Sequence, residues 1–565
     1  MGSRGTNDTD PPHKTTLSLS LIMSVENDGE KPTNNLVGAL LVDLYQLTMT
    51  YAHWKTGKHE ESSVFELFFR RNPFGGEFTV FCGLDECLKH IQSFSFSDDD
   101  IAYLKTTPSL MDCEESFFDY LRHLDTSGLT VWAMQEGTLA FPREPLIVVE
   151  GPLGLGQLLE TSLLNLVNFP SLIATNASRM VLRANPAPCI EFGLRRAQGP
   201  DGACSASKYS YVGGFAATSN VKAGKLFGIP VAGTHAHSFC QSFISLEEVR
   251  ELILFNKRAH NSQRLLPSVL EYRDALPTIT GENFQTNDGE LASFIAYACA
   301  FPNATLCLVD TYSTLGSGLP NFAAVAMALD DFGYRPKGVR LDSGDLAGLS
   351  MKCAEYFRRI QLATGREAFR DLAIVASNDI NEEVLHHLTK QPHKITTFGI
   401  GTNLVTCQAQ PALGCVYKLV EWEGHPRIKI SQDLPKVTIP GRKRVFRIYG
   451  QDDRPILDIM LLAEEGIPII GRRLVCRDPF NAQDRFCVTP KRVVALHSAV
   501  YENGLVSLHP DILTSRTFVK TQLQSMLPSV IRYANPDAYD VKVSTSLFHF
   551  LHDLWEKEAP MEERR

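Results

Sequence analysis

The sequence predicts an α/β protein whose central part, from about residue 185 to about residue 420, is a barrel of parallel strands. Short, β-branched apolar runs alternate there with helical segments, which is the βαβ pattern. Most of these runs end on Asp, Ser, Thr, Gly or His, as barrel strands do when their carboxyl ends open onto a site. Two such ends are densely polar: Gly233-Thr234-His235-Ala236-His237-Ser238, and Arg340-Leu341-Asp342-Ser343-Gly344-Asp345.

The expected barrel strands are Pro188–Phe192, Ile229–Gly233, Thr305–Asp310, Gly338–Asp342, Ala373–Ser377 and Lys394–Gly401. Between them, Leu319–Leu329 reads as a helix, with Pro320 near its start and Gly333 beyond its end. The run Asn378–Glu383 opens another helix with capping residues followed by early acids. Ahead of the barrel, helices are expected over Leu40–Lys55 and Leu155–Asn168, and a strand over Ser63–Arg70. Behind it, strands are expected near Arg427–Ile430 and Val445–Tyr449, with helices toward the end.

With 565 residues, 44% of them hydrophobic, the chain can bury more than one core. Lys and Arg number 55 against 64 Asp and Glu, a net charge of −9, which argues against a nucleic-acid surface. The 13 cysteines are scattered without CxxC pairs, as expected of reduced thiols in the cytoplasm. No apolar run reaches the roughly 20 residues that span a bilayer. Leu17–Met23 is too short and too rich in Ser for a signal peptide. The expectation is a soluble cytosolic enzyme with a polar, disordered lead over residues 1–35.

Arg340 and Asp342, two residues apart, share one side of a strand. An Arg there can grip a carboxylate or phosphate with two parallel bonds. The carboxylates can face ribose hydroxyls or, through water, magnesium; the plainer alternative is an ion pair closing the barrel end. His237 reads either as a nucleophile that takes phosphate from ATP or as a hydrogen-bonded structural histidine. His235 raises a metal alternative, but no second ligand pair at suitable spacing supports it. Gly399-Ile400-Gly401-Thr402 closes a strand with two glycines and a hydroxyl, a combination that lets backbone N–H groups approach a phosphate. Glycines also occur in ordinary turns, and no Walker A motif is present. Tyr45 and Phe192 can sandwich a flat heteroaromatic ring, although core roles are the commoner use of aromatics. Gly151–Gly156 has the wrong spacing for a dinucleotide loop and reads as a strand-to-helix turn.

Taken together, these motifs resemble the nicotinate phosphoribosyltransferases. The resemblance runs from about Leu40 onward through Leu41–Met49, Val149–Leu153, Leu164–Phe169, Gly193–Gly199, Ser219–Val221, Gly233–Ser238, Arg340–Asp345 and Phe398–Thr402. It implies an irregular α/β barrel beside a second α+β domain built from the N- and C-terminal segments. The expected division is 1–35 lead, 36–180 N-terminal part of the α+β domain, 181–420 catalytic barrel, and 421–565 C-terminal segment packed on that domain.

The resemblance implies transfer of phosphoribosyl from phosphoribosyl pyrophosphate to nicotinate, with ATP as co-substrate and magnesium or manganese as cofactor. The products are nicotinate mononucleotide and pyrophosphate, at the entry from nicotinic acid to NAD. It also implies a homodimer with a shared active site, in which Tyr45 reaches the neighbouring subunit's pyridine ring and Phe192 forms the opposite face. Thr234 and Arg340 match positions that hold nicotinate. Gly399, Gly401 and Thr402 match the 5′-phosphate cradle, and Arg195 a phosphate contact. His237 matches a transiently phosphorylated histidine, and Asp342 faces the ribose. No metal ligands are assigned, and no nucleic-acid or membrane partner is implied. Ser219, neutral where nicotinamide-using relatives carry an acid nearby, and Arg340 together favour a carboxylate substrate.

Overall fold

The computed structural model describes residues 31–507 and 511–559. Leu17–Met23 and most of the expected lead lie outside these residues. At the end of that lead the chain is pinned: Thr33 donates its N–H and hydroxyl to Glu86, at 2.8 and 2.6 Å.

The centre of the molecule is a parallel sheet in the order Leu306–Leu308, Gly338–Leu341, Ala373–Ser377, Thr397–Ile400, Cys189–Glu191, Ala217–Thr218. Read around the sheet, the strands follow chain order and the fourth pairs back onto the strand nearest the N-terminus. The result is an irregular barrel left open between its two edge strands. The crossovers between its parallel strands supply the outer helices; Leu319–Asp331, buried along almost its whole length, lies between two of the strands in the chain. Pro320 sits in its first turn, and Gly333 follows its end at φ 80°.

One expected barrel strand differs. Ile229–Gly233 forms only a single bridge, from Val231 to Thr218, because Pro230 has no N–H to extend a ladder. The neighbouring strand Ala217–Thr218, too short to show a period, is the one that pairs fully.

The second domain draws on both ends of the chain. Its seven-stranded antiparallel sheet runs His425–Pro426, Cys415–Trp422, Ser62–Phe69, Ile147–Pro152, Thr130–Met134, His497–Glu502, Leu505–Val506. A further six-stranded sheet comes from residues 443–543 alone, with Asp540–Val543 and Pro455–Leu462 at its centre. Arg447 ties the parts together: its guanidinium donates to Asp458 at 2.7 Å, to Gln522 at 3.2 Å and to the Leu139 carbonyl at 2.6 Å, all buried.

The helix expected over Leu40–Lys55 starts at Leu44, where Asp43 and Gln46 form a capping box. Leu155–Asn168 resolves into two helices, Leu153–Leu158 and Glu160–Ala184, the second carrying Pro170 inside it. The strand expected over Arg427–Ile430 is instead the two-residue His425–Pro426, cut short where Pro426 has no N–H to donate. Gly151–Gly156 is the expected strand-to-helix turn, between strand Ile147–Pro152 and helix Leu153–Leu158. No helix among the described residues is long and apolar enough to cross a membrane.

Candidate active site

The carboxyl ends of the barrel strands bring most of the sequence-predicted residues together. Strand Gly338–Leu341 aims Arg340 into the rim, and the next residue but one, Asp342, stands just past its end. Arg340 donates from Nε to Ser377 Oγ at 2.8 Å, from Nη1 to Thr234 Oγ1 at 3.3 Å and from Nη2 to Asp342 Oδ1 at 3.1 Å. An Arg has five N–H donors. Among the described residues three are used, so each terminal nitrogen keeps one free. Phe192, at the end of strand Cys189–Glu191, presents its ring 5.4 Å from the guanidinium carbon.

His237 opens the short helix His237–Gln241. Its Nδ1 lies 3.1 Å from Thr311 Oγ1, and its Nε2 lies 3.8 Å from Asp342 Oδ2 and 3.9 Å from Asp310 Oδ1. Asp310 is the residue that motif reading left out. Its side chain is only 2% exposed. Oδ2 accepts from Asp342 N–H at 3.0 Å and from Ser343 Oγ at 2.5 Å, whereas the buried Oδ1 has no hydrogen-bond partner. Thr311 and Ser377 were missed as well. The available signal was their position: Asp310 and Ser377 end expected strands beside the Arg340 strand, where chemistry gathers.

Thr397–Ile400 pairs with Cys189–Glu191, next to Phe192. A Cβ on Gly399 would stand 2.5 Å from the Phe192 ring, so only glycine lets that ring lie there. Gly401 caps the helical turn Thr402–Val405, whose first N–H groups have no acceptor within the turn. Gly193 leaves no room for a side chain against Val405. Buried Glu191 fixes this corner: it accepts the Gly193 N–H, Ser207 Oγ at 2.9 Å and Thr218 Oγ1 at 2.5 Å. Arg195 lies exposed on the turn Leu194–Arg196, without an ion-pair partner among the described residues.

Tyr45 is elsewhere. It sits on helix Leu44–Lys55 of the other domain, 46% exposed, beside a crevice of about 690 Å³ that Lys418, Trp422 and Arg427 also line. Tyr45 and Phe192 of one chain therefore do not face each other.

His235 turns away from the rim. Its Nε2 accepts the Leu308 N–H at 3.2 Å, and its ring packs 5.1 Å from Tyr297 and 5.5 Å from Phe239. Burial lowers its pKa to about 4, so the ring is neutral. Among the described residues no group of three His, Cys, Asp or Glu side chains is placed to hold a metal ion.

The rim can thus bind a flat ring bearing a carboxylate, face a developing positive charge with two acids, and offer a histidine to a phosphoryl donor. Comparison with known proteins agrees with this chemistry. Residues 40–168, 188–483 and 442–551 match, in turn, the N-terminal domain, family and C-terminal domain models of nicotinate phosphoribosyltransferase. Nicotinate phosphoribosyltransferase 1 of Arabidopsis thaliana is 48% identical over 94% of this chain and 96% of its own. The Caenorhabditis elegans nicotinate phosphoribosyltransferase is 46% identical, with 96% of this chain and 99% of the relative covered. The crystal structure of human nicotinic acid phosphoribosyltransferase superposes with a TM-score of 0.81 at 41% identity, covering 91% of this chain and 99% of that one. With motifs, barrel rim and near-full-length relatives in agreement, the chain belongs to the nicotinate phosphoribosyltransferase family.

Proposed function

We propose that the protein transfers phosphoribosyl from phosphoribosyl pyrophosphate to nicotinate, giving nicotinate mononucleotide and pyrophosphate, and couples the transfer to ATP. The observation that carries the reading is Arg340, held by Ser377, Thr234 and Asp342 with one free donor on each terminal nitrogen. That fork matches a carboxylate bidentately, and the adjacent Phe192 ring offers a face to a pyridine.

Displacement at the anomeric carbon asks the protein mainly for alignment and electrostatics. Arg340 and Phe192 orient nicotinate so that its ring nitrogen faces the ribose. Asp342 and Asp310 meet the positive charge that develops there as pyrophosphate leaves. Gly399, Gly401 and Thr402 supply a tight turn with unspent N–H groups for the 5′-phosphate, and Arg195 supplies a nearby cation. Phosphorylated His237 would add about two negative charges beside the two acids, which reorganises the site between turnovers.

Magnesium fits this donor set. The unpartnered Asp310 Oδ1 and Asp342 Oδ2 both face the rim, and Mg²⁺ is commonly held by one or two carboxylates plus substrate phosphates. When bound there, the ion would neutralise charge on the departing pyrophosphate. Tyr45, exposed and remote from its own chain's rim, supports a homodimer in which it completes the neighbour's site. All thirteen cysteines are free thiols, which supports a reducing, cytosolic location.

The test offers purified protein the phosphoribosyl donor, Mg²⁺ and nicotinate, with and without ATP. Nicotinate mononucleotide should form in both cases, faster with ATP and with release of ADP. His237→Ala should keep the slow reaction and lose the ATP stimulation. Equal stimulation in variant and wild type would refute the phosphohistidine role.

A further inference from the structure

In the second domain, Val64, Val148 and Val420 alternate along their strands with residues of the main core. They therefore lie on the other face of the seven-stranded sheet, where Trp132 packs against them. The six-stranded sheet carries a separate apolar cluster that includes Phe446, Ile448 and Leu457. A cavity of about 160 Å³ draws its lining from both: Trp132 and Val148 from one cluster, Phe446 from the other, with Arg442, Arg444 and Ile467. Ile467 is 61% exposed, so the cavity opens to solvent beside it. No residue of the barrel rim lines it.

The charges around this cavity leave one cation over. Arg442 Nε pairs with Glu150 at 2.5 Å, its guanidinium carbon 5.1 Å from the Trp132 ring. Lys443 Nζ pairs with Glu66 at 2.9 Å and donates to the carbonyls of Ile439 and Gly441. His497 donates from Nε2 to the Pro145 carbonyl at 2.6 Å; burial lowers its pKa to about 4, so the ring is neutral. Arg444 has no ion-pair partner among the described residues. Its guanidinium lies 5.1 Å from the Phe446 ring, and its Nε is buried with no acceptor. Trp132 Nε1 is likewise buried with no acceptor. Two unspent donors between apolar walls, one of them cationic, select an anionic acceptor on an apolar body.

We propose that this cavity is a second ligand site, which binds a small monocarboxylate with a single-ring apolar body. The ring lies among Trp132, Val148 and Phe446, and the carboxylate accepts from Arg444 and from Trp132 Nε1. Size sets the class: a cavity of roughly 150 Å³ holds one benzene ring, whereas pockets for drug-sized ligands begin near roughly 300 Å³. Nucleotides and phosphoribosyl compounds are therefore too large. Charge narrows it further, since one uncompensated guanidinium balances one negative charge and matches a carboxylate's two oxygens. The site binds its ligand without chemical change, and the inference stands apart from the transfer reaction.

The experiment is isothermal titration calorimetry of the full-length chain with benzoate as the probe. Arg340→Ala serves as the background, because the rim guanidinium would compete for the same carboxylate. That protein should bind benzoate at one saturable site. Benzyl alcohol, which keeps the ring and loses the charge, should bind about tenfold more weakly. Adding Arg444→Leu should weaken benzoate at least about tenfold, and adding Trp132→Phe, which keeps an aromatic wall without the N–H, about threefold. The comparison of the two probes needs no change in the cavity, so it holds even where a variant folds poorly. Three results would each overturn the proposal: no saturable binding at about 10 mM benzoate, equal affinity for benzoate and benzyl alcohol, or benzoate affinity unchanged by Arg444→Leu.

Discussion

Arg340 Nη2 donates to Asp342 Oδ1 at 3.1 Å, across a single intervening residue at the end of one barrel strand. The pair joins the two halves of the reaction. In the proposed reaction Arg340 faces the acceptor's carboxylate and Asp342 the ribose; Ser377 Oγ holds both side chains, accepting from Arg340 at 2.8 Å and donating to Asp342 at 2.5 Å.

Replacing Arg340 should therefore separate the substrates. Arg340→Ala removes a charge-assisted fork worth about 1.5–3 kcal/mol. The KM for nicotinate should rise about 10- to 100-fold while that for phosphoribosyl pyrophosphate changes little. Arg340→Lys should recover only part of the loss, because an ammonium keeps the charge without the planar fork. Steady-state kinetics with each substrate varied will measure both; a defect confined to the phosphoribosyl donor would move Arg340 to the phosphate side.

Asp342→Asn keeps the shape and removes the charge proposed to meet the developing cation. A preorganised group of this kind typically contributes about 10²–10³ in kcat, and the loss should appear in kcat rather than in the KM for nicotinate. Asp310→Asn should act in the same direction, and single-turnover kinetics of the two variants will check this.

Gly399→Ala places a methyl 2.5 Å from the Phe192 ring. Overpacking of this kind costs about 1–3 kcal/mol. The ring should shift off the nicotinate face, raising the KM for nicotinate, and thermal melting should register the strain. An alanine variant with wild-type kinetics would show that Phe192 does not border the acceptor.

Glu290 lies fully buried behind Asp310. Burial, with a smaller contribution from the Asp310 charge, pushes its carboxyl up to about 7. In the unfolded chain it titrates near 4.5. Between those values the unfolded state gives up a proton that the folded state keeps, so stability falls as pH rises and levels off above 7. The span is at most about 3 kcal/mol. Glu290→Gln, neutral throughout, should match wild type near pH 4.5 and exceed it at pH 8. Urea unfolding at the two pH values tests this, and an equal difference at both would refute it.

Much of this site was legible from strand ends alone. Arg340, Asp342, His237 and Thr234 fall where apolar runs stop and polar residues begin, and the barrel brings them to one rim. Asp310 was visible as a strand end, but its role depends on an unpartnered oxygen, which only three-dimensional packing reveals. His235 looked like a partner of His237 because only Ala236 separates the two on the chain. In the fold it faces the opposite way, occupying a gap left where Pro230 weakens an edge strand. Tyr45 lies on the other domain, and its proposed place at a second copy's rim is a relationship that the composition and spacing of one chain do not contain. The C-terminal sheet was only partly foreseen, since its strands pair across long separations, as Asp540–Val543 does with Pro455–Leu462.

The most direct measurement is kcat/KM for nicotinate against nicotinamide, with phosphoribosyl pyrophosphate, Mg²⁺ and ATP, in wild type and Arg340→Ala. Wild type should prefer nicotinate by a factor of about 10² or more, and the variant should lose most of that preference through its KM for nicotinate. Comparable use of nicotinamide by the wild type, or an undiminished preference in the variant, would contradict the assignment of Arg340 to the acceptor's carboxylate.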